Sequence, residues 1–334
     1  MQRPRELIAR FKSRVNVVDG ALATELHARG HDISGPLWSG HVLLQNASAI
    51  EQVHMDYLRA GADVILTATY QITFQGLQQA GFQKTEVEDI LDLSVALAIG
   101  ARRRYLKEIG AQSGRQRKVG ATAASTRTMA RLPLVGASIG SYGAYLHDGS
   151  EYRGDFKLSV GELADFHRER FQVLARRADL IAFETCPTLE EAKAYRALLV
   201  EAPEVSAWIT FSCKDGKHTC HGERIADCAR ELNDTPNLVA IGVNCTAPRH
   251  VESLVTELRG ATEKPIVVYP NSGETWDSHR RCFIGESEAE HFGELARRWI
   301  DAGANLVGGC CRTSPKHIAQ VKAIASSAAR GELA

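Results

Sequence analysis

Near the C-terminus the chain reads NLVGGCCRTSP (305–315), which sets Cys310 beside Cys311 behind two glycines. A third cysteine, Cys245, follows the apolar run LVAIGVN (238–244). Thiolate sulfur is both a nucleophile and a metal ligand. Three thiolates with one position left open are the pattern of a catalytic zinc site rather than a closed structural one. Gly308 and Gly309 are expected to let the backbone bend until both neighbouring sulfurs face one metal. Residue type alone leaves a plainer alternative. Free cysteine is often buried as a small hydrophobe, and vicinal cysteines are not a usual zinc spacing. The segment CKDGKHTCHGE (213–223) offers Cys213, His218, Cys220 and His221, but its turn residues read as a solvated loop.

Sulfurs this distant in sequence meet only if the fold gathers strand ends. Short apolar runs alternate with stretches of helical period. The expected strands are 15–19, 63–69, 134–140, 179–185, 207–212, 238–244, 265–270 and 305–310. They are near-continuously apolar, as parallel strands covered on both faces must be. Helices are predicted over 46–62, 159–178 and 287–304, each opened by Ser with Glu three residues on: Ser48–Glu51, Ser159–Glu162 and Ser287–Glu290. Three helices enter strands through related words, RAGADVI, RRADLI and DAGANLV. Eight strands with helices between them predict a single-domain (β/α)8 TIM barrel over 1–334. An N-terminal helix with Leu7, Ile8 and Phe11 on one face precedes it, basic enough to allow a targeting segment as the alternative, and a frayed tail ends it. A doubly wound sheet is the other option, but no Gly-rich dinucleotide fingerprint follows the first strand. Residues 111–131 read as an insertion, in which KVGATAA resembles a strand.

Such a barrel works at the C-terminal ends of its strands. Those ends carry Asp19-Gly20, then Thr67, Thr69 and Tyr70, then the segment GSYGAYLHDGSEYRGD (140–155). Further on come Glu184-Thr185, Asn244-Cys245, Tyr269-Pro270-Asn271 and Cys310-Cys311. None carries a lysine, which counts against a Schiff-base lyase or aldolase.

The bulk numbers remove other classes. The 40 basic and 40 acidic residues cancel, so nothing draws the chain to nucleic acid or anionic membranes. No apolar run approaches the roughly 18 to 20 residues of a membrane span. Eight cysteines in 334 residues are no disulfide framework, so the thiols are expected free, catalytic or metal-bound, in the cytoplasm. The oligomeric state is not legible.

VNC at 243–245 with GGCCRT at 308–313 resembles the homocysteine S-methyltransferase family. The resemblance extends over most of the chain, through VVDGALATEL (17–26), ADVILTATYQIT (62–73), YGAYLHDGSEYRGD (142–155), FETCP (183–187) and VYPNSGETWD (268–277). The third and last words are similar to the branch that uses S-methylmethionine or S-adenosylmethionine, and unlike the betaine-using branch. The resemblance implies a (β/α)8 barrel with Zn2+ held by Cys245, Cys310 and Cys311. It implies small-molecule substrates, L-homocysteine and a sulfonium methyl donor, with no nucleic acid or membrane partner. Asp19 and Glu184 would bind the homocysteine amino group, with Gly20 giving backbone contacts. One departure is Ser141, where the family commonly has proline, and it bears on the local loop geometry.

On that reading zinc keeps the substrate thiol deprotonated, and the sulfur attacks the donor methyl without a general base. Tyr70, Trp38, Tyr142 and Tyr269 are candidates to face the cationic donor, or to pack around the barrel mouth. Thr69 and Asn244 complete the expected substrate set. Asn271, with Ser272, either binds a carboxylate or caps a turn, and Arg312 either screens charge or bridges to a carboxylate. Selenocysteine or selenohomocysteine would suit the same site as acceptor. A non-catalytic zinc or redox thiol sensor is the reading from a different class, and it would leave Asp19, Glu184 and the aromatic set without a purpose.

Overall fold

Among the described residues ten strands form: β1 (Asn16–Val17), β2 (Val64–Leu66), β3 (Leu134–Gly140), β4 (Leu180–Cys186), β5 (Ala207–Phe211), β6 (Leu238–Asn244), β7 (Ile266–Tyr269), β8 (Thr275–Asp277), β9 (Cys282–Ile284) and β10 (Leu306–Val307). They belong to a computed structural model that describes residues 4–35, 37, 39–116, 132–277, 282–285, 287 and 289–329. β8 and β9 pair with each other as an antiparallel hairpin. The other strands form one parallel sheet in the order β1-β10-β7-β6-β5-β4-β3-β2. A parallel bridge between Val18 and Val64 joins its two outer strands, so the sheet closes into the expected (β/α)8 barrel.

The strands are apolar on both faces because each divides two cores. Val18, Val64, Leu134, Leu180, Trp208, Val267 and Leu306 belong to the barrel interior. Val17, Ile65, Val135, Ile181, Ile209 and Ile241 pack in the shell of helices instead. The helix Pro4–Ser13 closes the N-terminal end of the barrel. Its Leu7 and Phe11 are 0% exposed and join the interior cluster, and Arg10 Nη1 donates to the Leu132 carbonyl at 2.9 Å.

Two strands, β1 and β2, end sooner than their apolar runs suggest, because side chains replace the ladder. Asp19 Oδ2 accepts the Leu66 amide at 2.8 Å, and Thr67 Oγ1 accepts the Ser138 amide at 3.0 Å. The chain is thereby freed to turn outward at the mouth. Of the three expected helix starts, Ser159 forms a complete capping box with Glu162. Ser48 does not cap. The helix Ala47–Ala60 begins after Asn46, Ser48 bonds the Asn46 side chain at 2.7 Å, and Glu51 pairs with Arg104. Ser287 lies ahead of a 3-10 turn, and its helix runs over Phe292–Asp301. The RAGA and DAGA words are explained by Gly61 (φ 103°) and Gly303 (φ 117°), which end their helices in the left-handed region.

The helix Lys84–Gln116 leads up to residues 117–131, so KVGATAA falls outside the described residues, as does the tail from 330. No described helix is long and apolar enough to cross a membrane.

Candidate active site

The segment after β7 holds both cysteine loops. The amide of Cys245 donates to the Tyr269 carbonyl at 3.2 Å, and that of Cys310 to the Pro270 carbonyl at 2.6 Å. Asn271 donates to Thr246 at 3.2 Å, and Ser272 to the Cys311 carbonyl at 3.1 Å. Four backbone bonds therefore fix the ends of β6 and β10 against one strand between them. Gly308 and Gly309 serve this packing, but not by bending. Neither has a positive φ. A Cβ on Gly308 would lie 2.7 Å from Val18 and 2.8 Å from the Asp19 carbonyl, and one on Gly309 would fall inside the Thr313 side chain. The left-handed residues are instead Thr185 (φ 58°), Cys245 (φ 45°) and Arg312 (φ 64°), all at this mouth. Non-glycine residues persist there only where surrounding bonds over-determine them. Asn244 supplies some: its Oδ1 accepts the Thr185 amide at 2.7 Å, and its Nδ2 donates to Thr185 Oγ1 at 2.8 Å.

The sulfurs of Cys245, Cys310 and Cys311 all lie within 4.8 Å of one another. Cys245 and Cys310 are joined as a disulfide, whereas the sequence led us to expect free, catalytic or metal-bound thiols. Cys311 is free, with its sulfur 3.9 Å from that of Cys245. Sulfurs brought together without intervening polar groups form this bond on oxidation. The same trio suits a metal when reduced. Tetrahedral zinc with Zn–S of about 2.3 Å sets its sulfurs about 3.8 Å apart, and the Cys245–Cys311 separation matches that edge. Burial, with Glu151 and Glu184 nearby, pushes the Cys311 thiol up to about 12, so a bound cation is what would make it a thiolate. Among the described residues no such group forms in the loop 213–223. There His218 pairs with Asp215 and His221 with Glu223, both at 3.0 Å.

A cavity of about 130 Å³ opens beside the sulfurs. Asp19, Gly20, Tyr70, Glu184, Asn244, Tyr269 and the three cysteines line it. Burial holds the Asp19 carboxyl well above the usual range, and the Glu184 charge adds to this against the Leu66 amide. Burial raises Glu184 to about 7, opposed by hydrogen bonds from Ser138 and Tyr269. Two carboxyls that are costly to ionise alone make a receptor for an ammonium group. Tyr269 forms the floor, its hydroxyl bonded to Thr210 at 2.8 Å and to Trp208 Nε1 at 3.1 Å.

Three expected residues are not brought to the cavity lining. Thr69 is buried behind it, bonding Thr67 and the Ser138 carbonyl at 2.6 Å each. Tyr142 packs among Phe156, Phe166 and Tyr145, with ring centroids 4.9 to 5.7 Å away. Asn271 caps a turn, its Oδ1 accepting the Gly273 amide at 3.0 Å. Trp38 lies outside the described residues. Arg312 bridges to a carboxylate, Glu274, at 2.8 Å. Ser141 caps the short helix Tyr142–Leu146 through the Ala144 amide, which accounts for a serine at this position.

The sequence reading missed Glu151 and Tyr152, which line the cavity from the 3-10 turn Ser150–Tyr152. A Glu-Tyr pair inside the segment after β3 was the available signal, and Tyr142 was taken instead. Glu151 is raised to about 7, chiefly by burial.

Fold and site together define a (β/α)8 barrel whose mouth sets a metal-capable group of three cysteines beside paired carboxyls. The model of the family described as homocysteine S-methyltransferase matches residues 16–325. The chain is 45% identical to the homocysteine S-methyltransferase YbgG of Bacillus subtilis, over 93% of this chain and 94% of that one. The metallated crystal form of the homocysteine methyltransferase MmuM from Escherichia coli superposes with a TM-score of 0.79 at 38% identity, over 93% of this chain and 96% of that one. The oxidized form of MmuM gives 0.79 at 39% identity, over 92% and 95%. The chain belongs to the homocysteine S-methyltransferase family, enzymes that transfer methyl groups.

Proposed function

We propose that this chain transfers a methyl group from S-methylmethionine, or S-adenosylmethionine, to the sulfur of L-homocysteine, giving methionine, with zinc held by Cys245, Cys310 and Cys311. The observation that carries the reading is the gathering of three sulfurs within 4.8 Å at one cavity that Asp19 and Glu184 also line. Zinc bound by those thiolates would keep the homocysteine sulfur deprotonated and nucleophilic at neutral pH.

The chain's own residues do the positioning. Asp19 and Glu184 take the homocysteine ammonium group, Asp19 fixed by the Leu66 amide and Glu184 by Ser138 Oγ. Tyr269, anchored by Trp208 and Thr210, holds Glu184 in place from below. Asn244 keeps Thr185 in its left-handed conformation, and the Tyr269 carbonyl holds the amide of left-handed Cys245.

In the transfer itself the homocysteine sulfur forms a bond to the methyl carbon opposite the donor sulfur. The S–CH3 bond breaks, its electron pair returns to the sulfonium sulfur, and a neutral thioether leaves. No proton moves in that step, so no general base is required. The test is methionine formation by the reduced enzyme from L-homocysteine with each donor in parallel. Turnover with either supports the reading and identifies the donor. No methionine from either, with metal supplied, overturns it.

A further inference from the structure

Glu151 is a third carboxylate on the cavity wall, and the reaction so far leaves it unused. Its Oε2 is shut off from solvent and has no hydrogen-bond partner. The cationic side chain that acts on it, Arg153, is committed elsewhere. Arg153 Nε donates to Asp155 at 2.9 Å, Nη1 to the Asp148 carbonyl at 2.8 Å, and Nη2 to Ser150 Oγ at 3.1 Å. A buried carboxylate oxygen without a donor marks a place for an external cation or a group that brings a proton.

The position is built rather than accidental. The Glu151 carbonyl accepts Ser212 Oγ from the end of β5 at 2.7 Å. Gly143 packs so tightly beneath the turn that a Cβ there would lie 2.5 Å from the Glu151 amide and 2.6 Å from the Ser150 carbonyl carbon. Glu151 also stands apart from the other acids. Asp19 feels the Glu184 charge, whereas the charged groups around Glu151 are Asp148 and Arg153, and Cys311 feels both Glu151 and Glu184. In-line transfer requires the acceptor's and the donor's amino-acid ends to lie on different sides of the moving methyl.

We infer that Glu151 is the counter-ion of the methyl donor, binding its α-ammonium group and thereby selecting a sulfonium that is also an amino acid. This rests on the proposed methyl transfer. Homocysteine brings one ammonium group, which the Asp19–Glu184 pair takes. S-methylmethionine and S-adenosylmethionine each bring a second ammonium group and a sulfonium centre. A third carboxylate is what that added charge requires, and a donor without an ammonium group would leave it unpaired.

The experiment measures KM for each substrate separately, with metal content, in the wild-type enzyme, Glu151→Gln and Glu151→Asp. The expected result for Glu151→Gln is a donor KM raised about tenfold or more, the loss of one charge-assisted hydrogen bond, with homocysteine KM moved less than about twofold and metal retained. Glu151→Asp recovers part of the donor affinity. Competitive inhibition by the deaminated donor, a dimethylsulfoniobutyrate, is the second readout, and its inhibition constant stays within about twofold between wild type and Glu151→Gln. Equal rises in both KM values, a rise for homocysteine alone, no change, or loss of metal would each overturn the inference. Failure of the underlying reaction is separately visible, because the wild-type enzyme would then form no methionine, and the inference would fall with it.

Discussion

Cys245 and Cys311 are 66 residues apart in sequence, yet their sulfurs lie 3.9 Å from each other. The approach is made by backbone, not by side-chain reach. The strand between them accepts the amides of Cys245 and Cys310 on consecutive carbonyls, Tyr269 and Pro270. A site held in this way is present before substrate or metal arrives, which is the condition for a precise coordination shell.

Cys311→Ser is therefore expected to lose most of its metal and nearly all activity while keeping the fold. The interior rests on apolar residues such as Trp208, Leu180 and Val267, not on the sulfur trio. Metal analysis, turnover and circular dichroism check this. Full turnover in the variant would remove Cys311 from the ligand set.

Glu184→Gln keeps shape and removes charge. The KM for homocysteine should rise about tenfold to a hundredfold, the worth of one charge-assisted hydrogen bond, with metal content unchanged. Equal loss of metal and substrate affinity would assign Glu184 a structural role.

The same carboxyl predicts a pH dependence. Burial raises Glu184 from 4.5 to about 7 in the free enzyme, and an ammonium group binds only its charged form. Homocysteine affinity should thus strengthen as pH rises toward about 7 and level off above it. The stability of the ligand-free protein runs the other way. A carboxyl whose folded pKa is raised stabilises below its unfolded value, and that contribution is lost as pH rises through about 7. Homocysteine titrations and thermal melts across this range check both signs, and Glu184→Gln should flatten the binding curve.

How much of this was legible beforehand follows from what each residue must satisfy. The barrel was readable because a strand between two cores must be apolar on both faces, and Leu180, Ile181 and Ala182 in a row show it. Cysteines and acids at strand ends were readable for the same reason, since polarity begins where the core stops. Glu151 was not, because an acid in a turn-rich stretch looks like any solvated acid until the turn folds over the cavity. Tyr142 was misplaced because the direction of a five-residue helix is set by its contacts with Phe156 and Phe166, which no local pattern announces. The vicinal glycines were noticed for the wrong reason: close approach of Val18 and Thr313 demands them.

Gly308→Ala tests that last point. The new methyl would press on Val18 and the Asp19 carbonyl, and overpacking of this kind costs about 1–3 kcal/mol. Denaturant unfolding should show the loss, and metal titration should show weaker binding, because Asp19 and Cys310 flank the displaced backbone.

The plug at the other end is separable from the chemistry. Leu7→Ala should destabilise by about 2–5 kcal/mol, as for other fully buried leucines. Metal content per folded chain should stay unchanged, as measured below the unfolding transition.

The most direct test of the central claim is X-ray absorption at zinc in the reduced enzyme, before and after homocysteine is added. The account predicts near-stoichiometric zinc with three sulfur neighbours at about 2.3 Å, rising to four when homocysteine binds. An unchanged shell on adding homocysteine, or a reduced protein that takes up no zinc, would contradict it.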